Sequence, residues 1–235
     1  MNSFSPQGYA QRLARTKAIL DTAVARYDKL VFANSLGAED VVLTDLIWRD
    51  FPQVKIFTLD TGRLHPANHE LIARLERRYQ KRMTVYAPLA EATQSLVADQ
   101  GINGFYDSIE NRKSCCFVRK VEPLKRALQG QDAWITGLRR SQSVTRVDVP
   151  EIGPDPAFSL DKVNPLLAWS NDDVWHAIRT ADIPYNELHD KGFPSIGCAP
   201  CTRPIAKGED IRAGRWWWEN PETRECGLHR QKEVA

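Results

Sequence analysis

Short apolar runs alternate with segments of helical periodicity along most of the chain. The runs are rich in Val, Ile, Phe and other apolar residues, which is typical of buried strands. The predicted strands are residues 30–33, 54–59, 83–86 and 134–136. The helices predicted beside them are residues 38–50, 66–80, 91–100 and 119–128. This alternation predicts right-handed βαβ units and an α/β fold with a doubly wound, mainly parallel sheet.

Two further helices and a C-terminal segment complete the predicted organisation. Ser5 and Pro6 suit the N-cap and first position of a helix that runs to about Tyr27. Pro and Gly residues break the pattern at 148–156, and Ser170 with Asp173 forms a capping pattern for a helix at 171–180. We predict an α/β domain over residues 1–205 and a C-terminal segment, 206–235, that lies on the core and is mobile.

Three loops that follow predicted strands are the first places to look for chemistry. They comprise residues 34–40, 60–65 and 137–140. Ligands of doubly wound sheets bind beyond the carboxyl ends of the strands. The first loop is a glycine-containing turn at the start of a helix, and a turn of this kind offers backbone N–H groups to an anion. An ordinary tight turn explains a single glycine equally well.

Composition narrows the class of protein. The 235 residues carry 32 Lys and Arg against 30 Asp and Glu, and 42% of residues are hydrophobic. This balance excludes a disordered chain. No run approaches the roughly 18 apolar residues of a membrane helix, and the N-terminus lacks the apolar stretch of a secretory signal. We therefore expect a cytoplasmic protein that contacts no membrane.

Charge is uneven along the chain. Residues 111–146 contain nine Lys and Arg against two acids, whereas residues 147–201 contain nine acids against three bases. A basic run usually forms a solvated helix face. A nucleic-acid surface is a weaker alternative, because the net charge is only +2 and no aromatic residues alternate with the bases.

Four of the five cysteines occur as two pairs, Cys115-Cys116 and Cys198 with Cys201. In a reducing compartment these pairs indicate a metal site rather than disulfides. Four cysteines can bind either a zinc ion or an iron–sulfur cluster, and both alternatives stay open. Adjacent cysteines favour the larger cluster, since successive side chains diverge in a strand or turn. Cys226 stands alone in the C-terminal segment. A thiol there is accessible to a reaction partner, but a lone cysteine in such a segment can also have no role.

Eight segments together carry a family resemblance over nearly the whole chain. They are Ser35-Leu36-Gly37-Ala38-Glu39-Asp40, Leu59-Asp60-Thr61-Gly62-Arg63, Lys113-Ser114-Cys115-Cys116 with Arg119-Lys120, Thr136-Gly137-Leu138-Arg139-Arg140, Ile183-Pro184-Tyr185-Asn186, Gly197-Cys198-Ala199-Pro200-Cys201, Asp210-Ile211-Arg212-Ala213-Gly214-Arg215 and Glu225-Cys226-Gly227-Leu228-His229. The chain resembles the assimilatory sulfonucleotide reductases of the iron–sulfur type, which reduce adenosine 5′-phosphosulfate (APS). The resemblance implies an adenine nucleotide alpha hydrolase-like sheet with a degenerate PP-loop.

The resemblance also implies a reaction and its residues. Cys226 matches the nucleophile that takes the sulfo group of APS, expels AMP and forms an S-sulfocysteine, from which thioredoxin or glutaredoxin releases sulfite. Cys115, Cys116, Cys198 and Cys201 match the ligands of one 4Fe-4S cluster. Lys120 could link cluster and substrate electrostatically. The implied substrate positions are Ser35, Gly37, Leu59, Arg119, Lys120, Gly137, Arg139, Arg146, Arg212, Arg215 and His229.

Several alternatives stay open at this point. A reductase of the 3′-phosphorylated substrate (PAPS), or of both substrates, is the nearest, although reductases of PAPS generally lack both cysteine pairs. An ATP pyrophosphatase is weaker, because residues 35–40 depart from the S-G-G-x-D-S loop of that group. A non-catalytic four-cysteine module that binds nucleic acid is remote. The Trp216-Trp217-Trp218 run suits a core anchor better than a docking patch. Homo-oligomerisation is left open.

Overall fold

The structure is a computed structural model that describes residues 4–142 and 149–220. These residues form two compact units. The first unit comprises residues 4–58, 73–84, 130–142 and 149–185, and the second comprises residues 59–72, 85–129 and 186–220. The division predicted between residues 205 and 206 stays a prediction, since residues 221–235 lie outside the described residues.

Six strands form one sheet among the described residues. They are β1 (Leu30–Asn34), β2 (Lys55–Leu59), β3 (Thr84–Tyr86), β4 (Ala133–Ile135), β5 (Ile152–Asp155) and β6 (Leu160–Val163). Their order is β3-β2-β1-β4-β6-β5. β1 pairs in parallel with β2 and β4, β4 pairs in parallel with β6, and β5 is antiparallel to β6. The predicted mainly parallel sheet is confirmed.

The α-helices begin and end close to the predicted residues, with one exception described below. They are α1 (Pro6–Arg26), α2 (Ala38–Asp50), α3 (Pro66–Tyr79), α4 (Ala90–Gln100), α5 (Ile109–Cys116), α6 (Glu122–Leu128) and α7 (Asn171–Thr180). The predicted caps are present: Ser5 Oγ accepts from the Gly8 N–H, and Ser170 forms a capping box with Asp173. These caps satisfy N–H groups that the helices leave without partners.

The centre of the sheet is its most buried part. Phe32 of β1 and Ile135 of β4 are fully buried. The chain runs from β1 to one edge through β2 and β3, and it returns to β4 on the other side of β1. The loops after β1 and β4 therefore meet at a topological switch point, which is where open α/β sheets bind ligands.

The helix predicted at 119–128 is wrong in its extent. α5 begins at Ile109, continues into a π-helical turn over Phe117–Val121 and leads into α6. α5 has no apolar stripe, because charged, polar and cysteine residues occupy most of its positions. Ser108, whose Oγ accepts from the Asn111 N–H at 3.0 Å, is the cap that marks its start. Periodicity alone could not find a helix of this composition.

The β5–β6 hairpin was missed, since Pro and Gly led us to expect a break at 148–156. β5 is the edge strand of the sheet and contains Gly153 and Pro154. Proline removes one backbone donor, which an edge strand tolerates because one side of it has no partner strand. The composition of an edge strand therefore resembles that of a loop.

The described part of the second unit contains an apolar cluster of Phe105, Cys201 and Trp216, against which Cys115, Cys198 and Trp218 pack. The core-anchor interpretation of the tryptophan run is confirmed for Trp216, which is 1% exposed. Within residues 4–142 and 149–220, every helix is too short or too polar to cross a membrane.

Candidate functional site

The loop after β1 contains a left-handed turn that a local hydrogen bond holds. Leu36 has a φ of 65°, a conformation that branched side chains rarely adopt. Asn34 Oδ1 accepts from the Leu36 N–H at 2.6 Å and holds this turn. α2 then begins at Ala38 with Gly37 as its N-cap, so no side chain of the cap residue bonds the N–H groups of the first helical turn. Such a helix start can receive an anion.

Asp40 fastens this loop from inside the protein. Its Oδ2 accepts from the Ser35 N–H at 2.6 Å, and the carboxylate is buried. Burial raises the pKa of Asp40 to about 7, while hydrogen bonds from Ser35 lower it and the nearby Glu39 raises it further. Near neutral pH both the protonated and the ionised form of this carboxyl group are therefore populated.

Gly137 brings the loop after β4 against the same carboxylate. A Cβ atom at position 137 would overlap Asp40 Oδ1 and approach Glu39 Cβ to 3.1 Å. The position therefore requires glycine for space, since any side chain would displace Asp40. Ser35, Gly37 and Gly137, three of the predicted substrate residues, thus lie in two loops that Asp40 joins.

Arg139 forms an ion pair within the first unit. Its Nε donates to Glu39 Oε1 at 2.8 Å, and its Nη2 lies 2.7 Å from the same oxygen. Its Nη1 donates to Ser141 Oγ at 2.9 Å, and Gln142 Nε2 donates to Glu39 Oε1 at 3.0 Å. Arg139 therefore neutralises Glu39, an acidic residue of the loop after β1. Sequence reasoning missed the pair, because its partners are 100 residues apart.

The four paired cysteines come together in the second unit. Cys115 and Cys116 are the last two residues of α5, and Cys198 is the N-cap of a 3₁₀ turn that ends at Cys201. We call these residues the four-cysteine group. Cys115 and Cys116 lie on a helix rather than on the strand or turn that the sequence suggested. Side chains of adjacent helical residues diverge by about 100°.

Burial and neighbouring thiols raise the pKa of two members of the four-cysteine group, Cys201 and Cys115. Burial raises the pKa of Cys201 to about 12, the neighbouring Cys198, Cys116 and Cys115 raise it further, and Lys120 opposes them. Burial likewise raises the pKa of Cys115. In residues 4–142 and 149–220, no three His, Cys, Asp or Glu side chains are arranged to hold a single metal ion.

The loop after β2 is fastened to the four-cysteine group. Thr61 Oγ1 lies 3.2 Å from Cys198 Sγ, and the Ala199 N–H donates to the Arg63 carbonyl at 2.8 Å. Arg119 Nη1 donates to the Thr61 carbonyl at 2.7 Å. Gly62, with a φ of 68°, completes the turn. The sequence predicted this loop as a candidate site but gave Thr61 no role. The feature that could have identified Thr61 is a polar side chain directly after a buried strand.

A π-helical turn presents Arg119 and Lys120. This turn, Phe117–Val121, follows Cys116 directly. Arg119 is 7% exposed, and Lys120 is close enough to Cys201 to lower its pKa. π-Helical turns often occur at functional sites, where the extra residue per turn redirects side chains. Two predicted substrate residues thus lie beside the four-cysteine group.

The remaining predicted residues are placed individually. Leu59 ends β2. Arg215 Nη1 lies 3.4 Å from Ser195 Oγ and 3.4 Å from the Ile196 carbonyl, and a Cβ atom at Gly197 would come within 2.6 Å of its guanidinium. Arg212 is half-buried. Arg146, Cys226 and His229 lie outside the described residues.

Comparisons with known proteins agree over nearly the whole chain. A family model described as the phosphoadenosine phosphosulfate reductase domain matches residues 29–204. An adenosine 5′-phosphosulfate reductase of Allochromatium vinosum is 54% identical over 230 residues, which cover 98% of this chain and 90% of that protein. One of Burkholderia cepacia is 49% identical over 220 residues, which cover 94% of this chain and 88% of that protein.

Solved structures show the same architecture. The phosphoadenylyl-sulfate (PAPS) reductase of Candida auris, in a phosphate complex, matches with a TM-score of 0.71 at 28% identity and covers 86% of this chain and 98% of that chain. The FMN adenylyltransferase of Candida glabrata, in complex with FAD and pyrophosphate, matches with a TM-score of 0.61 at 17% identity and covers 100% of this chain and 80% of that chain. The second likeness concerns the fold alone.

Proposed function

The chain belongs to the phosphoadenosine phosphosulfate reductase family, and from this premise we infer that it is an adenosine 5′-phosphosulfate reductase of sulfate assimilation. Its sheet is of the adenine nucleotide alpha hydrolase-like type, as the sequence predicted. APS is chosen as the substrate because of the four-cysteine group and because of the sequence identity to APS reductases over nearly the full chain.

The four-cysteine group fits one 4Fe-4S cluster. Its donors are all thiols, which are the soft ligands that such clusters take. Cys115, Cys198 and Cys201 pack with apolar side chains, and burial raises the pKa values of Cys115 and Cys201, so that binding of a cation must displace their protons. Thr61 and Arg112 each bond a cysteine sulfur, as groups that tune a cluster do. When bound, the cluster supplies fixed charge and holds its ligand segments together.

The proposed chemistry begins at Cys226. Its thiolate attacks the sulfur of APS, so that an S–S bond forms, the bond from sulfur to the bridging oxygen breaks, and AMP leaves with that electron pair. A thiolate of thioredoxin or glutaredoxin then attacks Cys226 Sγ, and sulfite leaves with the electron pair of the S–S bond. The second thiol of the reductant resolves the mixed disulfide. Because this reaction needs a reductant whose dithiol is kept reduced, we propose that the protein acts in the cytoplasm.

Charged donors of this chain would bind the two anionic groups of APS. We assign this role to Arg119 and Lys120, which lie beside the four-cysteine group, and to Arg146, Arg212, Arg215 and His229. Charge-assisted hydrogen bonds to sulfate and phosphate oxygens would stabilise the charge that develops as AMP leaves.

The family resemblance implies the residues that contact the nucleotide. We assign this contact to Ser35, Gly37, Leu59 and Gly137. Arg139 stays among the proposed substrate-binding residues for a different reason. Because its guanidinium bonds Glu39, it neutralises a carboxylate that would otherwise repel an anionic ligand at this loop.

Mass spectrometry of the protein mixed with ³⁵S-labelled APS, without any reductant, tests the proposal. We expect one sulfo group per chain on Cys226. The variant Cys226→Ser should keep about four iron atoms per chain and form neither adduct nor sulfite. Sulfite formation by that variant would refute the mechanism. A preference for PAPS in a competition of the two substrates would overturn the choice of APS.

A further inference from the structure

A buried ion pair joins α5 to the segment that follows the tryptophan run. Arg112 Nε donates to Glu219 Oε1 at 2.8 Å, and Arg112 Nη2 donates to Glu219 Oε2 at 2.8 Å. The two side chains are 2% and 4% exposed. This bidentate arrangement fixes distance and orientation together, which a lysine could not do.

Arg112 also contacts the four-cysteine group and its apolar core. Its guanidinium carbon lies 4.9 Å from the centre of the Trp216 ring. Burial lowers the pKa of Arg112, but the bonds to Glu219 and Cys116 outweigh burial and raise it overall. One guanidinium therefore contacts a cysteine at the end of α5, a core tryptophan and the carboxylate of Glu219.

Backbone hydrogen bonds attach residues 214–216 to residues 201–203. The Arg203 N–H donates to the Gly214 carbonyl at 3.0 Å, and the Trp216 N–H donates to the Cys201 carbonyl at 3.1 Å. The Glu219 N–H donates to the Trp216 carbonyl at 2.9 Å. The ion pair with Arg112 then fixes Glu219 itself.

Glu219 precedes Cys226 by seven residues. Covalent geometry limits the separation of their Cα atoms to at most about 25 Å. Fixing Glu219 therefore restricts the volume in which the Cys226 thiol can be found. A smaller volume raises the effective concentration of a thiol at its target.

A buried ion pair is a poor way to add stability. Removing two charges from water costs several kcal/mol, and well-packed apolar side chains often do as well or better. Removing one partner alone leaves an uncompensated charge. A pair at this place is therefore better explained by the fixed geometry that it provides.

Resting on the proposed function, we propose that Arg112 and Glu219 are positioning residues for the nucleophile: their buried pair fixes the segment from which Cys226 reaches its substrate. Neither residue touches the reacting atoms. Their loss slows the attack of Cys226 on bound APS without changing the intrinsic reactivity of the thiol.

The test compares two reactions of the same thiol in the full-length, cluster-loaded protein. The first is formation of the sulfo adduct at saturating APS in a single turnover. The second is alkylation of Cys226 by iodoacetamide, which needs no positioning. We expect Glu219→Gln to slow adduct formation by at least about tenfold, while alkylation, AMP binding and iron content stay within about twofold of the wild type.

Two further variants keep the test decisive. Glu209→Gln makes the same change in an ion pair with Arg203 whose side chains are 35% and 37% exposed, and it should behave as the wild type. The double variant Arg112→Met/Glu219→Leu removes both charges, so it should fold even if Glu219→Gln does not. It should restore stability, but its rate of adduct formation per iron-loaded chain should stay slow.

Three results would overturn the proposal. They are a wild-type adduct rate in Glu219→Gln, an equal fall in adduct formation and alkylation in the double variant, and recovery of the adduct rate in the double variant. Absence of the adduct from the wild type would instead refute the proposed function and this inference with it.

Discussion

Asp40 makes the stability of the first unit depend on pH. The raised pKa of about 7, against an ordinary 3.8, means that the unfolded chain loses this proton at lower pH than the folded chain. A folded-state pKa that is raised contributes stability below the unfolded value, and this stability is lost as pH rises through the folded value. The shift corresponds to about 4 kcal/mol in total.

The measurement is urea unfolding between pH 5 and 8, on the wild type and Asp40→Asn. The asparagine keeps an oxygen acceptor for the Ser35 N–H and cannot ionise. We expect the free energy of unfolding of the wild type, relative to Asp40→Asn, to fall by about 3 kcal/mol across this range and to level off above pH 7.

Asp21→Asn, at an exposed position of α1, is the matched control and should follow the wild-type profile. A difference in stability between the wild type and Asp40→Asn that does not change with pH would refute the raised pKa of Asp40, and so would a wild type that gains relative stability as pH rises.

Three other changes test single contacts. Gly137→Ala should lower the free energy of unfolding by about 1–3 kcal/mol, because the methyl group displaces Asp40, and urea unfolding that matches the wild type would contradict the overlap. Thr61→Val should leave the fold intact but speed loss of iron to a chelator, since it removes the hydroxyl beside Cys198; an unchanged rate would mean that the contact does not matter. Trp216→Ala should cost about 3–5 kcal/mol, measured in the same way, because this side chain is 1% exposed.

Elements with a strong local pattern were predictable. The predicted bounds of α2 and α7 match the structure, because helical periodicity and the Ser170 cap are encoded within a few neighbouring residues. The strands β1 and β2 differ from their predicted bounds by one residue. β5 and α5 were missed, since an edge strand with Pro154 and a helix without an apolar stripe carry no such signal.

The family and its chemistry followed from short motifs, because cysteine pairs and post-strand loops retain their spacing in the chain. The sequence by itself determined that four cysteines pair off and that a fifth, Cys226, stands apart. It could not decide which charges neutralise each other. Arg139 meets Glu39 across 100 residues, and Arg112 meets Glu219 across 107 residues.

Those pairings depend on the tertiary structure for a physical reason. A salt bridge or a hydrogen bond acts over a few ångströms, and only the folded chain determines which distant side chains come that close. The same holds for the burial that raises the pKa of Asp40 and for the space that restricts position 137 to glycine. Sequence determined which groups are available, and the fold decided which of them are paired, buried or charged.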